Sequence, residues 1–176
     1  MKKLLLAVPV ILAFSSCSSA PAQTAAVPDI PFSANAGITY NGAEFTAEVR
    51  RSAPGKWELT VTEPYTLEGL KMELCGDETR LSLLGIEAAA DVGDDAVSAA
   101  KAIASAYDAV AGQQGTFTAD ADGYTMTGTC PLGSVTVVLA DDGTPLAFSC
   151  DTAGLSVELS GFEKLPETDI EAEIVE

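Results

Sequence analysis

Short runs in which apolar and polar residues alternate fill most of this chain, and turns that contain glycine separate them. A period of two is the period of a β-strand whose successive side chains point to opposite faces of a sheet. Asn41-Gly42 lies between two such runs, and this dipeptide supplies the positive φ angles that a two-residue hairpin turn needs. Comparable turns follow at Pro54-Gly55, Gly76-Asp77, Asp122-Gly123, Pro131-Leu132-Gly133, Asp142-Gly143 and Ala153-Gly154. The pattern predicts about ten antiparallel strands.

One segment between two groups of strands has helical periodicity, from about residue 94 to residue 111. Asp94 and Asp95 suit the positive end of a helix dipole, and Gly112 suits a C-terminal cap. The apolar face of this helix consists mostly of small residues: Ala96, Ala100, Ile103, Tyr107 and Val110. The sequence therefore predicts an α+β fold, in which one Ala-rich helix packs on the concave face of a large curved antiparallel sheet, an incomplete β-barrel.

The N-terminus has the features of a bacterial secretory signal. Lys2 and Lys3 precede an uncharged run from Leu4 to Phe14, which is too short to span a bilayer. Ser15-Ser16-Cys17-Ser18 resembles the lipobox of bacterial lipoproteins, in which the cysteine receives diacylglycerol and, commonly, a further acyl group such as palmitate. The resemblance implies a signal peptide over residues 1–16 and a chain anchored through Cys17 to the extracytoplasmic face of the cell membrane. The alternative is an ordinary secreted protein cut near Ala20 or Ala22.

A flexible linker is expected from Cys17 to Asn35, because this segment is rich in Pro, Ala and Ser. The β domain is expected over residues 36–162 and an acidic tail over residues 163–176. Without the signal peptide, the chain has seven Lys and Arg residues and 26 Asp and Glu residues. The resulting negative field repels phosphate backbones, so nucleic acid is excluded as a partner.

No histidine occurs in the chain, which removes the usual general base and the usual metal ligand. No pattern of residues indicates a catalytic site, a cofactor or a metal site, so the chain is not expected to be an enzyme. The predicted strands place Cys130 and Cys150 on the inner face with a strand between them, and Cys75 on the opposite face from Leu74. Buried free thiols are expected, although a bond between Cys130 and Cys150 stays open if the Pro131 turn folds over.

The layout of strands, a helix and more strands behind a lipobox resembles the LolA-like carriers of the bacterial envelope. The segments Gly55–Val61 and Asp142–Leu146 look like hairpins of that family, and the resemblance covers roughly residues 37–162. It implies a half-barrel that holds a lipid or a lipidated polypeptide against its apolar concave face.

The inward positions of the predicted strands supply the candidate ligand-binding residues: Trp57, Leu59, Val61, Leu70, Met72, Leu74, Tyr124, Met126 and Phe148. Methionine and aromatic side chains suit acyl chains, because they adapt in shape and present broad apolar surface. Each of these residues taken singly also fits an ordinary core. The alternative function is therefore a structural or protein-interaction module of the cell envelope with a filled core.

Overall fold

A computed structural model describes residues 24–89, 95–120 and 123–166. The described residues form thirteen strands, one α-helix and two short 3₁₀ helices. The α-helix, α1, spans Asp95–Val110. The 3₁₀ helices span Tyr65–Leu67 and Asp151–Ala153. The strands are β1 (Thr24–Ala26), β2 (Phe32–Tyr40), β3 (Ala43–Ala53), β4 (Lys56–Glu63), β5 (Lys71–Cys75), β6 (Glu78–Leu83), β7 (Ile86–Ala89), β8 (Gln114–Thr116), β9 (Thr118–Asp120), β10 (Gly123–Cys130), β11 (Gly133–Leu139), β12 (Pro145–Cys150) and β13 (Leu155–Lys164).

Eleven of these strands form one antiparallel sheet in the order β7-β6-β5-β4-β3-β2-β13-β12-β11-β10-β9. The sheet consists of two meanders, and β2 and β13 join them by pairing Phe32 with Lys164 and Leu155 with Tyr40. Its edge strands, β7 and β9, do not pair with each other, so the sheet stays open. The predicted α+β fold with an incomplete barrel is confirmed, with eleven strands where about ten were expected.

The helix α1 lies on one face of this sheet, here called the inner face, where it contacts β5, β10, β12 and β13. Ala100, Ile103, Tyr107 and Val110 are all buried, as their spacing predicts, whereas the side chain of Ala96 lies outside the described residues. Gly112 adopts a φ of +72° directly after the helix, which is the conformation of the predicted C-terminal cap. Asp94 also lies outside the described residues.

The sheet extends beyond the limits that the sequence suggested at both ends. The strand β2 begins at Phe32 rather than at residue 36, because Phe32 is fully buried and belongs to the core. The strand β13 reaches Lys164, inside the segment assigned to the tail, and the amide of Leu165 donates to the carbonyl of Pro31 at 3.0 Å. Residues 1–16, Cys17 and the tail beyond residue 166 lie outside the described residues, so the predictions made for them stay predictions.

Two short elements at the sheet margins were not foreseen. The strand β7 adds an edge strand after the turn at Leu84-Gly85, and β1 forms a separate two-stranded sheet with β8. Cys130 and Cys150 are buried free thiols on β10 and β12 with β11 between them, and Cys75 is an exposed free thiol. The expected placement of all three cysteines is confirmed.

Candidate functional site

The nine candidate ligand-binding residues all lie in or against one apolar core on the inner face. Leu70 and Tyr124 are partly buried, and the other seven are at most 5% exposed. The fold thus brings the predicted set together, although β4 and β5 lie on one side of the seam between β2 and β13, and β10 and β12 on the other. Their role toward a ligand stays a prediction, and with α1 in place a ligand has little access to them.

Aromatic rings fill the space between α1 and the sheet. Tyr107, on α1, has its ring centroid 5.3 Å from that of Phe32 and 5.6 Å from those of Trp57 and Phe148. Phe32 also contacts Trp57 edge to face, at 5.7 Å. Tilted and edge-to-face arrangements of this kind are the favoured geometries of aromatic pairs. Tyr107 therefore supplies the aromatic packing of α1 against the inner face.

A charged group holds the C-terminal end of α1. Arg51 on β3 is 1% exposed, and its guanidinium donates to Asp108 Oδ1 at 2.6 Å, to Asp29 Oδ1 at 2.7 Å and to the carbonyl oxygen of Ile30 at 3.2 Å. Burial disfavours the charged form of Arg51, but the hydrogen bonds and charges of Asp108 and Asp29 outweigh it and raise its pKa. These three residues, Arg51, Asp29 and Asp108, are called the Arg51 cluster below.

Asp108 connects the cluster to the turn between β3 and β4. Its Oδ2 accepts from the backbone amide of Gly55 at 2.8 Å and from the indole Nε1 of Trp57 at 2.9 Å. One carboxylate on α1 therefore satisfies donors on both β3 and β4, and it ties the helix to the sheet by charge-assisted hydrogen bonds.

The segment before β2 crosses the same end of α1. The hydroxyl of Tyr107 donates to the carbonyl oxygen of Pro28 at 3.1 Å. The amide of Gly112 donates to the carbonyl oxygen of Val27 at 2.8 Å. Burial raises the pKa of the Tyr107 hydroxyl, which is consistent with a neutral phenol that serves as a donor. Residues 27–30 thus bond both to the C-terminal end of α1 and to Arg51 of β3.

A groove of about 530 Å³ opens beside α1, next to the turns at Gly55 and Gly76. Leu74, Ala104, Ala109 and Pro131 supply apolar surface, and Lys101 and Asp108 supply charge. Leu74 also belongs to the predicted ligand-binding set, so this groove is a point at which the inner face approaches solvent.

The Arg51 cluster was not predicted from the sequence, although one signal for it was present. Ala47, Val49 and Arg51 occupy alternate positions of β3 and are all buried. A charged residue in the inward phase of a strand is buried only when it is paired. Asp29 and Asp108, which lie far away in sequence, gave no sign that they would be its partners.

Among residues 24–89, 95–120 and 123–166, no group of three or more His, Cys, Asp or Glu side chains is placed to hold a metal ion. In that same part of the chain, no helix is both long and apolar enough to cross a bilayer.

Comparison with solved structures finds proteins that are similar to this chain at low sequence identity. One is a LolA superfamily protein from Nitrosomonas europaea, with 10% identity, a TM-score of 0.41, and coverage of 81% of this chain and 90% of that one. Another is an uncharacterized conserved protein from Thermus thermophilus, with 11% identity, a TM-score of 0.43, and coverage of 80% of this chain and 83% of that one. No protein-family model matches the sequence, and no curated protein is significantly similar to it.

Proposed function

We propose that this protein is a membrane-anchored, extracytoplasmic lipoprotein whose inner face binds a lipid or the acyl chains of a lipidated polypeptide, without catalysis. The observation that carries the proposal is the inner face itself, a continuous apolar surface over most of an open sheet that a single helix covers. Arg51 and Thr79 are the buried polar residues of the described chain, and Arg51 is fully engaged with the helix end.

The composition of α1 favours an exchange between helix and ligand. Ala99, Ala100, Ala102, Ala104 and Ala106 are buried, so much of what α1 contributes to the core is methyl groups. An acyl chain gains about 0.8 kcal/mol for each CH₂ group that it buries, so a chain of ordinary length can replace these contacts. Met72 and Met126 are flexible enough to repack around either occupant.

Within the part of α1 whose side chains are described, residues 98–110, the hydrogen bonds and the ion pair to other elements lie at the C-terminal end, which indicates how the inner face would open. The bonds that hold it to other elements involve Tyr107, Asp108 and the residues just after the helix. We infer that the N-terminal part of α1 moves away while the Arg51 cluster holds the C-terminal end as a pivot.

The predicted anchor would hold the domain close to a bilayer. Cys17 lies seven residues before Thr24, the first described residue, and seven extended residues span at most about 25 Å. A domain attached at Cys17 would therefore meet lipids or lipidated proteins at the membrane surface.

The test is mass spectrometry of the full chain, purified in mild detergent from the membranes of a bacterial expression host. Spectra under denaturing conditions report acyl groups bound covalently at Cys17, and native spectra report lipids held without a covalent bond. We expect a stoichiometric non-covalent lipid, and we expect it to be displaced by added fatty acid. A chain that carries no such lipid and takes up neither fatty acid nor phospholipid would refute binding at the inner face.

The burial of the candidate residues also favours the alternative function, an interaction module of the cell envelope with a filled core. A disulfide between α1 and β10 separates the two proposals, with Ala106→Cys and Met126→Cys as the first pair to be screened. If the inner face binds lipid, the oxidised variant loses uptake and dithiothreitol restores it. Uptake that is equal in the oxidised and reduced forms would mean that the lipid binds elsewhere.

A further inference from the structure

Gly37, in the middle of β2, lacks the usual structural reasons for a glycine. Its φ is not in the left-handed region, and a Cβ atom at this position would have no atom within 4 Å other than those of its chain neighbours. A glycine inside a strand costs backbone entropy, and it often marks a place where a ligand or another backbone comes close. Gly37 lies on the outer face of the sheet, opposite α1.

Because Gly37 has no side chain, its backbone forms the floor of a groove. Gly37 is paired with Glu158 on β13 and with Thr46 on β3, and both of these neighbours point outward on either side of it. Since adjacent strands lie about 4.8 Å apart, the two walls are separated by about 10 Å, enough for one extended chain. The groove has a volume of about 780 Å³, and it is called the Gly37 groove below.

All of the charged residues that line this groove are acidic. Glu44, Glu63, Glu68 and Glu158 line it, and its lining includes no lysine or arginine. Within the described residues, none of these four carboxylates takes part in an ion pair. The Lys71 ion pairs with Glu58 and Glu73 show that cations on the same sheet are placed elsewhere.

An aromatic side chain forms one end of the groove. Tyr65, in the 3₁₀ helix between β4 and β5, is 88% exposed and lies beside the acidic lining. A tyrosine ring attracts Lys and Arg side chains through its negative face, and nearby carboxylates add to that attraction.

We propose that the Gly37 groove docks an extended segment of another polypeptide that carries lysine or arginine. The partner's backbone passes over Gly37, its cations meet the glutamates, and one cationic side chain packs on Tyr65. Charge complementarity selects this partner, because the chain has a net charge of −17 and a second copy of it or an anionic polymer would be repelled. The outer face is separate from the inner face, so this docking is independent of lipid binding.

The experiment measures binding of the full chain to a fluorescein-labelled octapeptide of alternating lysine and valine, by fluorescence anisotropy at low and at physiological salt. The matched probe alternates glutamate and valine. We expect saturable binding of the lysine peptide and none of the glutamate peptide. The variant Gly37→Val fills the floor of the groove with a residue that favours strands, so it should weaken binding by about tenfold or more without lowering the melting temperature.

Two further variants test the charge and the ring. Glu63→Gln combined with Glu158→Gln should weaken binding and reduce its salt dependence, and Tyr65→Ala should weaken it at both salt concentrations. The controls are Glu87→Gln, an exposed carboxylate on β7, and Ala43→Val, an exposed position on β3 outside the groove; both should bind like the parent chain.

Three results would overturn the proposal. The first is the absence of saturable binding up to about 1 mM peptide, a concentration that detects even weak docking. The second is equal binding of both peptides. The third is binding of the lysine peptide that Gly37→Val leaves unchanged, which would reduce the effect to a general attraction by the acidic surface.

Discussion

A single buried arginine determines how firmly the helix is held on the sheet. Replacing Arg51 with methionine keeps its apolar stem but leaves Asp108 without its cation, and removing one partner of a buried pair is strongly destabilising. We expect Arg51→Met to lower the free energy of unfolding by about 3 kcal/mol, as measured by urea denaturation.

The matched control is Arg80→Met, since Arg80 is an exposed arginine on the neighbouring part of the same sheet. Its unfolding free energy should stay within about 0.5 kcal/mol of that of the parent chain. Equal losses in the two variants would contradict a special role for the Arg51 cluster.

Leu84 occupies a backbone conformation that is unfavourable for a leucine. Leu84 and Gly85 have φ angles of +53° and +79°, nearly the same as the +49° and +83° of Asn41 and Gly42, so the two hairpin turns have similar geometry. Leucine pays a steric cost there that asparagine largely avoids, and Leu84 is also 92% exposed. We expect Leu84→Asn to raise the free energy of unfolding by about 1 kcal/mol, measured by thermal and urea unfolding.

The reverse substitution at the equivalent turn is the control. Asn41→Leu should lower the free energy of unfolding by a similar amount, because it places leucine in the same left-handed conformation. If both variants changed stability in the same direction, the φ angle would not be the cause.

The nine predicted inner-face residues show how much of the site the sequence determines. Strand alternation alone predicts the face of the sheet on which each residue lies, and this prediction was correct for positions as distant as Trp57 and Phe148. Their accessibility was not predictable, because it depends on how closely α1 packs, and that closeness depends on contacts such as those of Tyr107 with Trp57 and Pro28.

At the level of elements, the contact between α1 and β10 limits how closely the end of the helix can approach the sheet. A Cβ added at Gly128 would lie 2.6 Å from Cγ1 of Val110, a fully buried and rotationally stiff side chain. Gly128→Ala should therefore push the helix outward and cost about 1–3 kcal/mol of stability. Because Val110 lies at the end of α1 that is proposed as the pivot, a displaced pivot should hold the helix less firmly. Under the proposed function, the variant should therefore take up a fluorescent fatty acid faster, as measured by stopped flow.

Gly37→Ala is the control for this change, because the same added methyl group would meet open space. It should leave uptake unchanged and should not destabilise the chain. A slower uptake by Gly128→Ala would argue against a ligand site beneath α1.

The elements with clear turn chemistry were the ones that the sequence predicted. Asn41-Gly42 and Asp142-Gly143 marked their hairpins directly, and Gly112 marked the end of the helix. The strand β7 was missed for two reasons. Its turn has leucine at the position where asparagine would indicate a hairpin, and Ile86–Ala89 is too short to show an alternation of apolar and polar residues. The strand β1 was missed because an Ala- and Pro-rich segment carries no alternation.

At the scale of the whole molecule, the proposed location of the protein at the membrane depends on one atom, the sulfur of Cys17. Cys17→Ala should abolish the covalent acyl mass and shift the chain from the membrane fraction to the soluble extracytoplasmic fraction, because no other lipid attachment is proposed. The measurement is fractionation of the expression host followed by mass spectrometry. Cys75→Ala, which removes an exposed thiol from the domain itself, should leave the chain in the membrane fraction.

The pairing of β2 with β13 has a consequence for the order in which the chain assembles. Each meander connects strands that are close in sequence, so each can form early through short loops. The junction between them requires the first long strand to meet the last, across a loop that contains almost the whole domain. The first meander must therefore wait, with one side of β2 unpaired, until β13 is available to pair with it.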